Sequence, residues 1–144
     1  VKNPAIPLLE AYATALHETI TVSGLAFPYY TGVPEGTDLN YILLSDVTST
    51  PDDDKQTLSY SVDVLIEVVT NNKGGSSSQV KAANVIDGIF NIIITKGGGF
   101  VSLLPDWNLN KSRLLSSTVF PVQKTESETV SRHAIIINHF IEEL

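Results

Sequence analysis

The sequence predicts an α+β domain: a mainly antiparallel sheet with two helices packed on one of its faces, in the order α-β-β-α-β-β. Three observations predict it. The stretches 6–21 and 78–94 repeat apolar residues every three to four positions, as one-sided helices do. The stretches 41–48, 58–70, 113–124 and 129–141 read as strands, and they come in neighbouring pairs. A helix precedes each pair, and strands joined by a polar turn form hairpins, so each pair is antiparallel. With 144 residues the chain fits one domain, 1–144.

The first helix, Ile6 to Thr21, has Asn3 and Pro4 where a cap and a first-turn proline belong. Leu9, Tyr12, Ala13, Leu16 and Ile20 form its apolar stripe. The glycine- and proline-rich stretch VSGLAFPYYTGVPEGTDLN follows as a loop, with a short extended piece at Ala26–Tyr30. Tyr41 to Thr48 is the first long strand, and STPDDDKQ is an acidic turn. In Leu58–Thr70 the alternation is clear: Tyr60, Val62, Val64, Ile66 and Val68 share one face, and Ser61, Asp63, Leu65 and Glu67 the other. The second helix, Ser78 to Ile94, has serines to cap it and an apolar side of Ala82, Ala83, Ile86, Ile89, Phe90 and Ile93. KGGG at 96–99 stops it. Phe100–Lys111 reads as irregular and holds the single tryptophan, Trp107. The last two strands meet at a tight TESE turn.

Composition excludes several functions. A net charge of −7 argues against binding free nucleic acid, which needs a basic surface to displace counterions. An acidic patch can still line a channel through which nucleic acid slides. Cysteine is absent, so there is no disulfide framework and no thiolate metal site. No apolar run approaches the roughly 18 residues of a membrane span, so no membrane partner is expected. The segment VKNPAIPLLEAYA lacks the layout of a signal peptide.

Candidate chemistry is sparse. In EVVTNNKGGSSSQV a strand, a glycine turn and a helix follow one another, the layout of a phosphate loop. The Walker order needs GxxxxGK before Ser or Thr, but Lys73 precedes Gly74 and Gly75. The dinucleotide pattern GxGxxG is also missing, so the stretch reads as a flexible, serine-capped connection. Asp52, Asp53 and Asp54 do not alternate as EF-hand ligands do, and Thr57 stands where that loop needs glycine. They read as a solvated turn. His133 and His139 share a strand face but lie about 20 Å apart by strand rise, too far for one metal. Together with His17 they are expected at surface or boundary positions. No GxSxG nucleophile elbow is present. No catalytic residue, cofactor or metal is therefore expected. Trp107 fits either of two roles, a partner anchor or a plug for the open side of the core.

The layout resembles that of the tail-completion or tail-terminator proteins of tailed bacteriophages and related neck-ring proteins. The features that carry the resemblance run from about Leu8 to Ile141: a leading helix, a loop with PYY, a hairpin ending in SYSVDVLIEVVTNN, the helix SSQVKAANVIDGIFNIII and a closing pair of strands. It rests on order, length and pattern rather than on a signature motif. The resemblance implies a non-enzymatic virion protein, made in the bacterial host, whose copies form a ring at the head–tail junction. Its implied partners are other copies of itself, the portal or connector, the tail tube, and DNA passing through the lumen without specific binding. Leu65 and Val69 on the outer face of the central strand, Ile135 and Ile137 on the last strand, and Trp107 are the interface candidates. Asp52, Asp53 and Asp54 are the candidates for a lumen loop that repels phosphates. Two other readings compete with the ring: an enzyme or small-molecule binder with a deep polar pocket, and an α+β adaptor closed as a two-fold dimer.

Overall fold

A computed structural model describes residues 3–22, 24–34, 36, 40–52, 58–73, 78–95, 103, 106–124 and 128–144. Its elements are helix α1 (Ala5–Leu16), strands β1 (Thr21–Val22), β2 (Leu25–Ala26), β3 (Tyr29–Tyr30), β4 (Tyr41–Pro51) and β5 (Leu58–Lys73), helix α2 (Ser78–Ile93), and strands β6 (Trp107–Val119), β7 (Gln123–Lys124) and β8 (Glu128–Glu143). The two helices and four long strands follow the expected α-β-β-α-β-β order. The four two-residue strands are additions to it. Both helices pack on the same side of a mixed sheet, since their apolar residues join one core with alternate residues of β5 and β8.

The main sheet runs β3-β4-β5-β8-β6, with β7 beside β8. All its pairs are antiparallel except β3–β4, where Tyr29 and Tyr30 lie parallel to Ile42 and Leu43. The central pair β5–β8 is unbroken from Leu58–Glu143 to Lys73–Glu128. β1 and β2 form a separate hairpin before the sheet.

The helices begin and end for local reasons. The Asn3 side chain accepts the Ala5 N–H at 3.0 Å, which satisfies one of the donors a helix start leaves open. α1 ends at Leu16, five residues short of the expected Thr21; His17 caps it and Glu18 follows with φ 55°. That left-handed residue turns the chain so that Ile20 still reaches the core. In α1, Leu8, Tyr12 and Leu16 recur every four residues and are wholly buried. In α2 the buried stripe is Ala82, Val85, Ile86, Ile89 and Ile93, while Ala83 is exposed. Gly88 permits a close approach: a Cβ there would lie 3.1 Å from Ile20 Cγ2.

The alternation of β5 holds, with Tyr60, Val62, Val64, Ile66 and Val68 buried under the helices. Three bulges complicate its neighbours. One at Ser45 in β4 exchanges the faces of the residues on either side, and two in β6 fall at Asn110 and Leu115. Trp107 does not lie in an irregular segment: it opens β6, opposite Glu143.

Candidate functional site

The helix-covered side holds a buried polar chain. His139 on β8 is fully buried, and its Nε2 lies 2.5 Å from the Tyr12 hydroxyl of α1. Its Nδ1 lies 2.6 Å from Ser112 Oγ on β6. Burial lowers the His139 pKa to about 4, so the ring is neutral at neutral pH. A neutral imidazole has one N–H and one lone pair, so one hydroxyl donates to it and the other accepts from it. Burial, and then neighbouring Tyr29, push the Tyr12 hydroxyl well above its ordinary pKa. Burial alone raises Tyr29 to about 12. Further along β8, His133 Nε2 bonds Ser117 Oγ at 2.7 Å, and burial lowers its pKa. Both β8 histidines therefore lie inside, where a surface or boundary position was expected.

Ser112–His139–Tyr12 has the spacing of a nucleophile, a base and an orienting group, but not their electrostatics. A catalytic base must hold a proton in passing, and the imidazolium needs a charged partner to do so. Here burial opposes the imidazolium and the third member is a neutral phenol. The chain instead links α1 to β8 and β6 through the core. Among the described residues no group of three His, Asp or Glu side chains could hold a metal ion.

The opposite side of the sheet carries neither described helix. Pairing register places Asp46, Thr48 and Thr50 of β4 on it, with Ser61, Asp63, Leu65, Glu67 and Val69 of β5. It also places Arg132, Ala134, Ile136, Asn138 and Phe140 of β8 there, with Lys111, Arg113, Ser116 and Thr118 of β6. Asn138 stitches its centre, donating to Ser61 Oγ at 2.7 Å and to Asp63 Oδ1 at 2.8 Å. At one end the chain beyond β6 continues along β8: Phe120 N–H donates to the Arg132 carbonyl at 3.0 Å, and after Pro121 and Val122 it pairs again as β7. A cavity of about 360 Å³ opens beside this stretch, lined by Glu67, Phe120, Val122, Val130 and Arg132 among others.

The interface candidates fall into two groups. Leu65 is on the helix-free face and half-buried, as expected. Val69 is on the same face but 1% exposed, covered by Tyr41, Val130, Tyr30 and Leu43. Ile135 and Ile137 are not on the outer face. They pair with Ile66 and Val64 and are fully buried beneath the helices, while Ile136 takes the outer position. Trp107 plugs the core, 4% exposed, with its ring 6.0 Å from that of Tyr60. Asp52 is exposed, and its N–H donates to the Ser59 carbonyl at 2.8 Å to close the β4–β5 hairpin. Asp53 and Asp54 lie outside the described residues, as does the centre of the glycine-serine turn, 74–77.

Exposed apolar residues gather where sequence reasoning placed none. Leu114, Leu115, Val119 and Phe120 are 41–54% exposed along and just past β6, the last strand of the sheet. Leu114 and Val119 take positions on the helix side of the sheet, beyond the reach of the helices.

No model of a protein family matches the chain, and no curated protein matches it. Among solved structures it is similar to a chain in the virion of a native gene transfer agent (GTA) particle. The TM-score is 0.59 at 16% identity, over 83% of this chain and 80% of that one. At that identity the likeness shows a shared fold.

Proposed function

We propose that this chain is a structural virion protein whose copies form a ring at the head–tail junction or the end of the tail tube. The ring joins the tail to the connector around a channel for DNA. One observation carries the reading: the fold is shared, over most of both chains, with a component of a gene transfer agent virion. A sheet face that no described helix covers and exposed apolar side chains on the edge strand β6 support it, because exposed apolar patches mark association. Leu65 on the helix-free face is the contact residue in this reading. Val69, Trp107, Ile135 and Ile137 stabilise the subunit instead. The acidic β4–β5 tip with Asp52 faces the lumen in this reading, where it repels DNA phosphates. Tail-tube and connector proteins are the other partners.

Light scattering on the purified chain over a range of concentrations, with negative-stain imaging of the same sample, tests the reading. Rings with a central hole are the expected outcome. A closed dimer that neither grows with concentration nor binds tail-tube or connector proteins would overturn it.

A further inference from the structure

We infer that copies of this chain join edge to edge, the β6 edge of one subunit pairing antiparallel with the free part of β4 in the next. This rests on the ring reading above and names the contact that would build it. The sheet has two unpaired edges among the described residues. β6 pairs only with β8, and β4 is covered by β3 only at Ile42 and Leu43, which leaves 44–51 open. The two edges lie on opposite sides of the subunit, so joining them is a head-to-tail contact, and such contacts generate rings when the rotation closes.

Strand direction agrees. β4 runs parallel to β8 and opposite to β6, because each step across the sheet from β4 to β6 is antiparallel. A neighbour in the same orientation therefore presents β4 antiparallel to β6, and the sheet continues without a break in its pattern.

Charge selects this pairing over its two-fold alternatives. The β6 edge carries exposed Lys111 and Arg113, and the β4 edge exposed Asp46, with Asp52 just beyond it. A β6–β6 pair would set cations against cations, and a β4–β4 pair carboxylates against carboxylates. Register makes the mixed pair specific. Arg113 shares a row of the sheet with Thr48, Lys111 with Thr50, and Ser116 with Asp46. If the rows continue across the contact, Arg113 lies diagonally from Asp46, both on the helix-free face. Long side chains reach diagonal partners across strands. Leu114 and Leu115 lie beside these charges, exposed, and gain cover from the neighbour.

A charge exchange tests the contact. Asp46→Arg and Arg113→Asp, each alone, are expected to raise the concentration needed for assembly by roughly tenfold or more, while thermal unfolding of the subunit stays unchanged. An equimolar mixture of the two variants should assemble again, because each then meets its opposite charge in alternation. The double variant Asp46→Arg/Arg113→Asp should do the same alone. Rings that form equally well in every variant would overturn the edge pairing while leaving the ring itself standing. A wild-type chain that stays a closed dimer and binds neither tail-tube nor connector proteins would overturn both.

Discussion

Acidification tests the buried imidazole of His139. The folded protein holds this group neutral, with its pKa lowered to about 4, whereas in the unfolded chain it titrates near 6.5. The unfolded state therefore binds the proton more readily. Stability is fully present above pH 6.5 and is lost as the pH falls toward 4. Linkage gives a loss of about 1 kcal/mol near pH 5.5 and roughly 2–3 kcal/mol near pH 4.5. Carboxylates also titrate in the lower part of this window, so the measurement is a difference. Urea unfolding of the wild type and of His139→Gln, followed by circular dichroism at four pH values from 7.5 to 4.5, isolates the histidine. The variant starts less stable at pH 7.5, because the chain from Tyr12 to Ser112 is disturbed. Its deficit should then shrink by roughly 2–3 kcal/mol as the pH reaches 4.5. Stability curves that fall in parallel would refute the reasoning, and would mean that water or a rearrangement accommodates the charge.

Three further outcomes separate core from surface. Tyr12→Phe takes a hydrogen-bond partner from a buried ring nitrogen, so denaturant unfolding should show a loss of about 1–3 kcal/mol, and an unchanged midpoint would sink the assignment. Trp107→Ala should cost the isolated subunit roughly 3–5 kcal/mol, whereas a tryptophan reserved for a partner would leave subunit stability intact and weaken only assembly. Ile137→Ala should cost about 2–5 kcal/mol, and Leu65→Ser about 1 kcal/mol or less in the subunit. Equal losses at the two positions would contradict their placement on opposite faces.

Much of the fold was legible in the sequence where one period ran long enough. The alternation from Tyr60 to Val68 has a single solution, and β5 takes it. The run AIIINHFI in β8 has no such contrast: every register buries isoleucines, and a shift of one residue exchanges the faces. Only pairing with β5 decides that Ile135 and Ile137 go inside and Ile136 outside. Trp107 was hidden for another reason. Its neighbours Pro105, Asp106, Asn108 and Asn110 are turn-formers, and the bulges at Asn110 and Leu115 break the alternation that marks a strand. His139 reads as polar, and its partner Tyr12 lies 127 residues away, so no local pattern could join them. The edge charges of β4 and β6 were visible as residues, but their complementarity depends on where each strand sits in the sheet.

The unbroken β5–β8 pair also determines how this protein folds. Its partners lie from 55 residues apart, at Lys73 and Glu128, to 85 apart, at Leu58 and Glu143. The β4–β5 hairpin forms from near neighbours, but the centre of the sheet cannot close until β8 has been made and has found β5. Loop-closure entropy opposes that step before any contact rewards it, and such topologies fold slowly, on the order of milliseconds to seconds. Until then Val64 and Ile66 lie on an open edge. A newly made chain is therefore most vulnerable to mispairing and to proteases before β8 docks, and the supply of folded chains is limited by the arrival of one strand.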